Sequence, residues 1–305
     1  MVDLSVRVGT VELRNPVMLA SGTCGFGREL SEYLDFSGVG GICSKGLTLL
    51  AREGNPGCRA AETSSGMLNS VGLQNPGLSA FLEKELPFMQ GLGTKVIVNV
   101  AGHCTEDYQK MVERLGAPEC AVAALELNLS CPNVKEGCMT IGATAEGVYS
   151  MLRAVRGLTD KPLWVKLTPN VTAITETALA AQEAGGDAVV LINTLLGMAI
   201  DVKSRRPVLQ NNTGGLSGPA IKPVALRMIQ ECWRVLSIPI VGVGGIMNAA
   251  DVLEFMLAGA AAIEVGTASL LHPAACAKII EDLSIYASDN RIEKISALTG
   301  DLRLW

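Results

Sequence analysis

At 305 residues, 49% of them hydrophobic and only 18% charged, the chain can bury a large core, and its 33 glycines imply many tight connections. A net charge of -5 and a pI near 5.3 leave no basic field for nucleic acid, and the arginines and lysines are scattered rather than clustered. The most apolar stretch, residues 188–200, is broken by Asn193 and Thr194 and falls well short of a bilayer span.

Taken in chain order, Val2 to Leu13 alternates like a hairpin, with no charged leader followed by an apolar run, so a soluble cytoplasmic protein is expected. Eight short apolar runs bounded by Gly, Pro or Asn follow: Val17 to Ala20, Gly40 to Ser44, Lys95 to Val100, Val122 to Leu127, Leu163 to Leu167, Ala188 to Ile192, Pro239 to Val243 and Ala261 to Val265. Each precedes a helical pattern, and Thr172 to Ala184 and Asn248 to Leu257 have lengths suited to crossover helices. VIVNV, LWVKL and AVVLI are nearly continuous apolar runs, as parallel strands covered on both faces should be. The alternation predicts an α/β fold, a (β/α)8 TIM barrel forming one domain over 1–305, with a doubly wound open sheet as the competing architecture.

Most strand starts stand about 22 to 27 residues apart, but the gaps after the second, fourth and sixth strands are far longer. The extra residues, around Gly46 to Pro76, Ser130 to Gly142 and Leu195 to Gly218, largely precede the next helix. In a barrel they therefore roof the C-terminal face, which carries active sites. The N-terminal hairpin is expected to plug the opposite end, and Asp289 to Trp305 to pack on the outside or at an interface. Trp164 and Trp233 read as core, and His103 receives no role.

Nine cysteines stand at 24, 43, 58, 104, 120, 131, 138, 232 and 276, with no C-x-x-C pair and only two histidines. Closely spaced metal ligands are absent from this pattern, so no metal is expected, and an odd count in a long chain argues against a disulfide framework. Cys131 stands apart. In NLSCPNVKEG, Asn128 to Gly137, it follows an apolar strand and is flanked by Asn128, Ser130 and Asn133. A thiol between amides at a strand terminus suits a site that grips a flat polar ring and moves a proton on it; the competing reading is a buried loop cysteine.

Glycines after the last two strands, Gly242, Gly244 and Gly245 in VGVGGIMN and Gly266 beside Thr267 in EVGTAS, match the usual phosphate cradle of a barrel. Their spacing is wrong for G-x-G-x-x-G. Lys45 and Lys166 end otherwise apolar strands, so each faces either an anionic or electron-rich partner in the mouth or a structural carboxylate. Asn99, Asn128 and Asn193 end three strands, and Asn69 lies in the long second loop. Such a ring of amides fits a ligand with alternating C=O and N–H groups, for instance a pyrimidine or a flavin edge.

With these pieces in order along the chain, the sequence resembles the class 1 dihydroorotate dehydrogenases, and specifically the catalytic subunit of the NAD-linked class 1B type. The resemblance runs over essentially the full length, through NLSCPNVKEG, NSVGLQNPG (Asn69 to Gly77), INTLLGMAID (Ile192 to Asp201), TGGLSGPAIKP (Thr213 to Pro223) and the two glycine loops. It implies FMN-dependent oxidation of dihydroorotate to orotate in pyrimidine synthesis, with Cys131 as the base at C5 and hydride leaving C6 for the flavin. The same resemblance implies that Lys45, Asn69, Ser70, Val71, Gly72, Leu73, Asn128, Asn193 and Thr194 hold the substrate. FMN would meet Ser21, Lys45, Gly46, Asn99, Asn128, Lys166, Ile192, Gly218, Gly244, Gly245, Gly266 and Thr267. Cys138, where the family usually has glycine, is expected not to be catalytic.

The chain supplies neither a dinucleotide fingerprint nor cluster ligands, so electrons must leave through a partner. The resemblance implies a subunit carrying FAD and a [2Fe-2S] cluster that passes electrons to NAD+, in a heterotetramer of two plus two chains around a homodimeric core. Competing functions are the fumarate-linked class 1A enzyme, a dihydropyrimidine dehydrogenase-like flavin domain, a colourless phosphate-binding barrel aldolase using a Schiff base at Lys166, and a non-catalytic ligand-binding barrel.

Overall fold

A computed structural model of the chain describes residues 2–130 and 141–305. Short apolar segments, buried on both faces, form eight parallel strands: Val17–Leu19 (β1), Gly41–Cys43 (β2), Lys95–Val100 (β3), Ala124–Asn128 (β4), Leu163–Lys166 (β5), Ala188–Leu191 (β6), Ile240–Val243 (β7) and Ala260–Val265 (β8). Consecutive strands pair in sequence order, and β8 returns to β1 through Ile263 opposite Val17, so the sheet closes on itself. Closure leaves no unpaired edge and fixes which end of every strand faces the site.

Helices Thr105–Gly116, Ala145–Arg156, Ile174–Glu183, Lys222–Trp233, Ala249–Ala258 and Ala275–Asp289 cover the barrel. The start of Ala249–Ala258 is set locally: the Asn248 side chain accepts from the Asp251 N–H while Asp251 accepts from the Asn248 N–H. The first unit departs from the expected pattern. Between β1 and β2 there are only two 3-10 turns, Leu30–Glu32 and Phe36–Gly38, because this glycine-rich connection lacks an apolar stripe long enough for a helix.

Strands Val6–Val8 and Val11–Leu13 pair antiparallel, with Val6, Val8, Val11 and Leu13 buried and Arg7 and Glu12 outward. Gly9 at the hairpin tip sits against the carbonyl of Asp187, just before β6, which places the hairpin at the N-terminal end as expected. The tail returns to the same end: the Asp3 N–H donates to Glu293 O at 2.8 Å and the Ile295 N–H to Asp3 O at 2.9 Å. Trp164 is fully buried, but Trp233 is 40% exposed, a correction to its reading as core. Its indole packs on Gly259 and Gly300 at the surface, a role that apolar character alone does not distinguish from burial.

On the opposite face, two of the long insertions pair with one another. Strands Leu195–Gly197, Gly214–Ser217, Gly66–Asn69 and Ala60–Thr63 make a four-stranded antiparallel sheet in that order, joining the loop after β2 to the loop after β6. Most of the third insertion, Ser130 to Gly142, lies outside the described residues.

Candidate active site

The C-terminal ends of the strands, with the small sheet over them, enclose a cavity of about 440 Å³. Ser21 lines it from the turn after β1, and Lys45 and Gly46 from the turn after β2. The second insertion contributes Asn69, Val71, Gly72 and Leu73. Asn128 stands at the end of β4 and Lys166 at the end of β5; Ile192, Asn193 and Thr194 follow β6. Gly218, Gly244, Gly245, Gly266 and Thr267 complete the wall. Two expected residues stand behind it: Asn99 and Ser70 are both fully buried and do not line the cavity. Cys131 and Cys138 lie outside the described residues.

The floor is polar and densely bonded. Lys166 Nζ donates to Glu126 Oε1 at 3.3 Å and to Glu264 Oε2 at 3.0 Å. Burial works against the ammonium, and the two carboxylates more than offset it, so the Lys166 pKa is raised and the group is charged. Asn99 Nδ2 donates to Glu126 Oε1, and Asn128 Nδ2 donates to Asn99 Oδ1 at 3.3 Å. One chain of hydrogen bonds thus runs from the cavity-lining Asn128 down to the acids. Lys166 therefore lines the cavity and is at the same time paired with structural carboxylates.

A second network runs along the wall. The Ser130 hydroxyl donates to Asn128 Oδ1 at 3.1 Å and accepts from Asn193 Nδ2 at 2.7 Å, and Asn193 Oδ1 accepts the Thr194 N–H at 2.8 Å. The Tyr108 hydroxyl donates to the Asn128 carbonyl at 2.7 Å. These bonds fix both amides before any ligand arrives. Lys45 has no ion-pair partner among the described residues, and burial lowers its pKa.

The flavin phosphate implied by the resemblance can be tested against the glycine loops. The backbone N–H groups of Gly244, Gly245, Gly266 and Thr267 find no acceptor among the described residues. Four orphan donors on one cavity wall are what a phosphate requires. Gly245, at φ +81°, leaves no room for a side chain: a Cβ there would lie 2.8 Å from the Gly218 carbonyl and from Lys222 Cβ. Gly46 likewise brings bare backbone to the wall, where a Cβ would lie 2.9 Å from Leu73 and 3.0 Å from Asn99 Oδ1. The residues present fit FMN.

Glu126 and Glu264 escaped the sequence reading. The signal was available: a lysine at the end of an apolar strand needs a counter-charge, and ALELN and AAAIEV each carry one acid inside an otherwise apolar strand.

Comparison with known proteins gives a consistent picture. The sequence model of the family described as dihydroorotate dehydrogenase matches residues 3–286. Among curated relatives, the chain is 52% identical over 303 residues to a protein of Geobacter sulfurreducens, covering 99% of each. It is 52% identical over 301 residues to one of Geotalea uraniireducens, covering 98% of each. With a protein of Bacteroides thetaiotaomicron it shares 49% identity over 304 residues, covering 100% of each. All three relatives are named dihydroorotate dehydrogenase B (NAD(+)), catalytic subunit.

Proposed function

We propose that this chain, which belongs to the dihydroorotate dehydrogenase family, is the catalytic subunit of an NAD-linked enzyme that oxidises dihydroorotate to orotate in pyrimidine synthesis. The observation that carries the reading is one cavity in which orphan N–H donors, a charged lysine at the floor and a wall of pre-oriented amides converge. The reading extends to a single FMN-binding barrel over 1–305, working in the cytoplasm. No helix among the described residues is long and apolar enough to cross a membrane.

Bound FMN supplies the acceptor for the hydride that leaves C6 of the substrate. The chain does the rest. Gly244, Gly245, Gly266 and Thr267 hold the phosphate through backbone N–H groups, with Ser21, Gly46, Ile192 and Gly218 beside the cofactor and Asn99 steadying Asn128 from behind. Lys166 offsets negative charge on the ring. Asn69, Asn128, Asn193 and Thr194 read the C=O and N–H groups of the pyrimidine, the loop Ser70 to Leu73 closes against it, and Lys45 meets its carboxylate. Cys131 takes the C5 proton as thiolate; a free thiol titrates near pH 8.5, so this step speeds up as pH rises unless neighbours lower that value. Ser130, tied to Asn128 and Asn193, fixes the chain next to that thiol.

The Schiff-base aldolase reading of Lys166 is disfavoured, because an amine held charged between two carboxylates is a poor nucleophile. Electrons leave through a partner subunit carrying FAD and a [2Fe-2S] cluster and pass to NAD+, in a two-plus-two assembly around a homodimer of this chain. The words "catalytic subunit" in the relatives' names support a partner.

The test is stopped-flow reduction of bound FMN by dihydroorotate in the wild type and in Cys131→Ala. The variant should retain yellow FMN yet lose reduction by at least a hundredfold, on the order expected for a missing general base. Unchanged reduction refutes Cys131 as the base, and a colourless wild type refutes the flavin reading. Rapid NAD+ reduction by the purified chain alone would remove the need for the partner.

A further inference from the structure

Glu126 on β4 and Glu264 on β8 reach the barrel axis from opposite sides, and both are fully buried. A carboxylate oxygen of each lies within 4.8 Å of the other and of Cys43 Sγ, which arrives from β2. Lys166 is the only cation bonded to them among the described residues, so a fully ionised trio would carry one net negative charge in the core. That is a costly arrangement, since an uncompensated buried charge is strongly disfavoured.

The hydrogen-bond inventory points the same way. Glu126 Oε1 accepts from Asn99 and Lys166, and Glu264 Oε2 from Lys166. The other two oxygens, Glu126 Oε2 and Glu264 Oε1, are buried and have no donor among the described residues. Two carboxylates each short of one donor in the same small space lack a single hydrogen.

We propose that Glu126 and Glu264 share one proton and act as positioning residues for Lys166, leaving the buried trio neutral while it presents a fixed ammonium to the cavity floor. Burial first, then the charge of Glu126, pushes the Glu264 carboxyl up to about 8, against the opposing pull of Lys166. The other titratable groups around the trio stay uncharged: burial raises the Cys43 thiol, and likewise that of Cys24, whose Sγ donates to the Cys43 carbonyl at 3.3 Å. The shared proton does not depend on what the cavity binds. Its effect on a bound ring does rest on the flavin reading: losing the proton puts a net negative charge beneath the ring and disfavours adding electrons to it.

Two measurements test this. The first is difference infrared spectroscopy of the purified protein between about pH 6 and about pH 10, on either side of the Glu264 value. A neutral carboxylic acid band that disappears on alkalisation is expected in the wild type and lost in both Glu264→Gln and Glu126→Gln, since either replacement frees the remaining acid to ionise beside Lys166. No such band in the wild type, or one that survives in both variants, overturns the proposal. The wild-type spectrum decides even where a variant fails to fold.

The second is the reduction potential of bound FMN against pH. In the wild type it should fall more steeply above the Glu264 value, and in Glu264→Gln that change of slope should vanish while the neutral-pH potential is kept. A variant potential favouring reduction by tenfold or more at neutral pH would mean Glu264 is already ionised there. A purely structural pair would leave the slope alone. If the protein binds no flavin, the infrared result still stands by itself.

Discussion

Asn75 reaches back across the second insertion to Thr48, accepting the Thr48 N–H on Oδ1 at 3.2 Å and donating Nδ2 to Thr48 Oγ1 at 2.7 Å. The same side chain accepts from the Gly77 N–H at 2.9 Å and donates to the Leu73 carbonyl at 2.7 Å. One buried amide therefore pins the run that carries Asn69 to Leu73, in which Gly72 and Leu73 take positive φ values of +77° and +55°. Replacing Asn75 by Ala removes these bonds and leaves buried groups unpaired, a cost of about 2–4 kcal/mol. Urea unfolding should show that loss, and the KM for dihydroorotate should rise more than kcat falls, because the loop rather than the chemistry is loosened.

Lys166 supplies a second prediction. Lys166→Met strips the cation from two fully buried acids and should destabilise the fold by about 3–5 kcal/mol, with FMN lost on gel filtration. Adding Glu126→Gln and Glu264→Gln removes the orphaned charge, so the triple variant should regain much of the stability and none of the FMN affinity. Equal instability of the single and triple variants would show that packing, not charge, dominates the floor.

The barrel was legible because buried parallel strands must be apolar on both faces, and β3, β5 and β6 announce themselves as VIVNV, LWVK and AVVL. The glycine loops and the amides were legible for a similar reason, since polar or bare residues at strand ends have few structural excuses. What escaped depends on long-range pairing. Nothing local says that Gly66–Asn69 lies beside Gly214–Ser217, because each strand is short and the register is set only when the two insertions meet. Glu126 and Glu264 are each conspicuous as a lone acid in an apolar strand, but they are far apart in sequence, and that both pair with Lys166 emerges only across the barrel axis. Asn99 reads like its neighbours at strand ends, yet its amide is consumed by Glu126 and Asn128, which keeps it behind the wall.

Gly245 tests the phosphate wall. Gly245→Ala forces a side chain into a left-handed backbone position and against the Gly218 carbonyl, at a cost of about 1–3 kcal/mol. Because that strain falls on the loop presenting orphan N–H groups, FMN affinity should drop by roughly tenfold or more by fluorescence titration. Gly157→Ala is the control: its φ is -74° and a Cβ there meets nothing within 4 Å. Equal FMN affinity in both variants would remove this loop from the cofactor site.

Glu264 makes stability depend on pH in a definite direction. In the unfolded chain its carboxyl titrates near 4.5, and in the barrel near 8. Below the lower value both states hold the proton and the full contribution is present. Between the two, only the folded state keeps it, so stability declines as pH rises, by at most about 1.4 kcal/mol per pH unit, and the contribution is gone above the higher value. Lys166 adds no slope in this window, because its pKa is raised from an already higher value of 10.5. Subtracting the unfolding free energy of Glu264→Gln from that of the wild type at each pH cancels the exposed carboxylates common to both. That difference should fall steadily from about pH 5 to about pH 8 and then level off. A flat difference across that range would mean that Glu264 does not carry a raised pKa in the folded barrel.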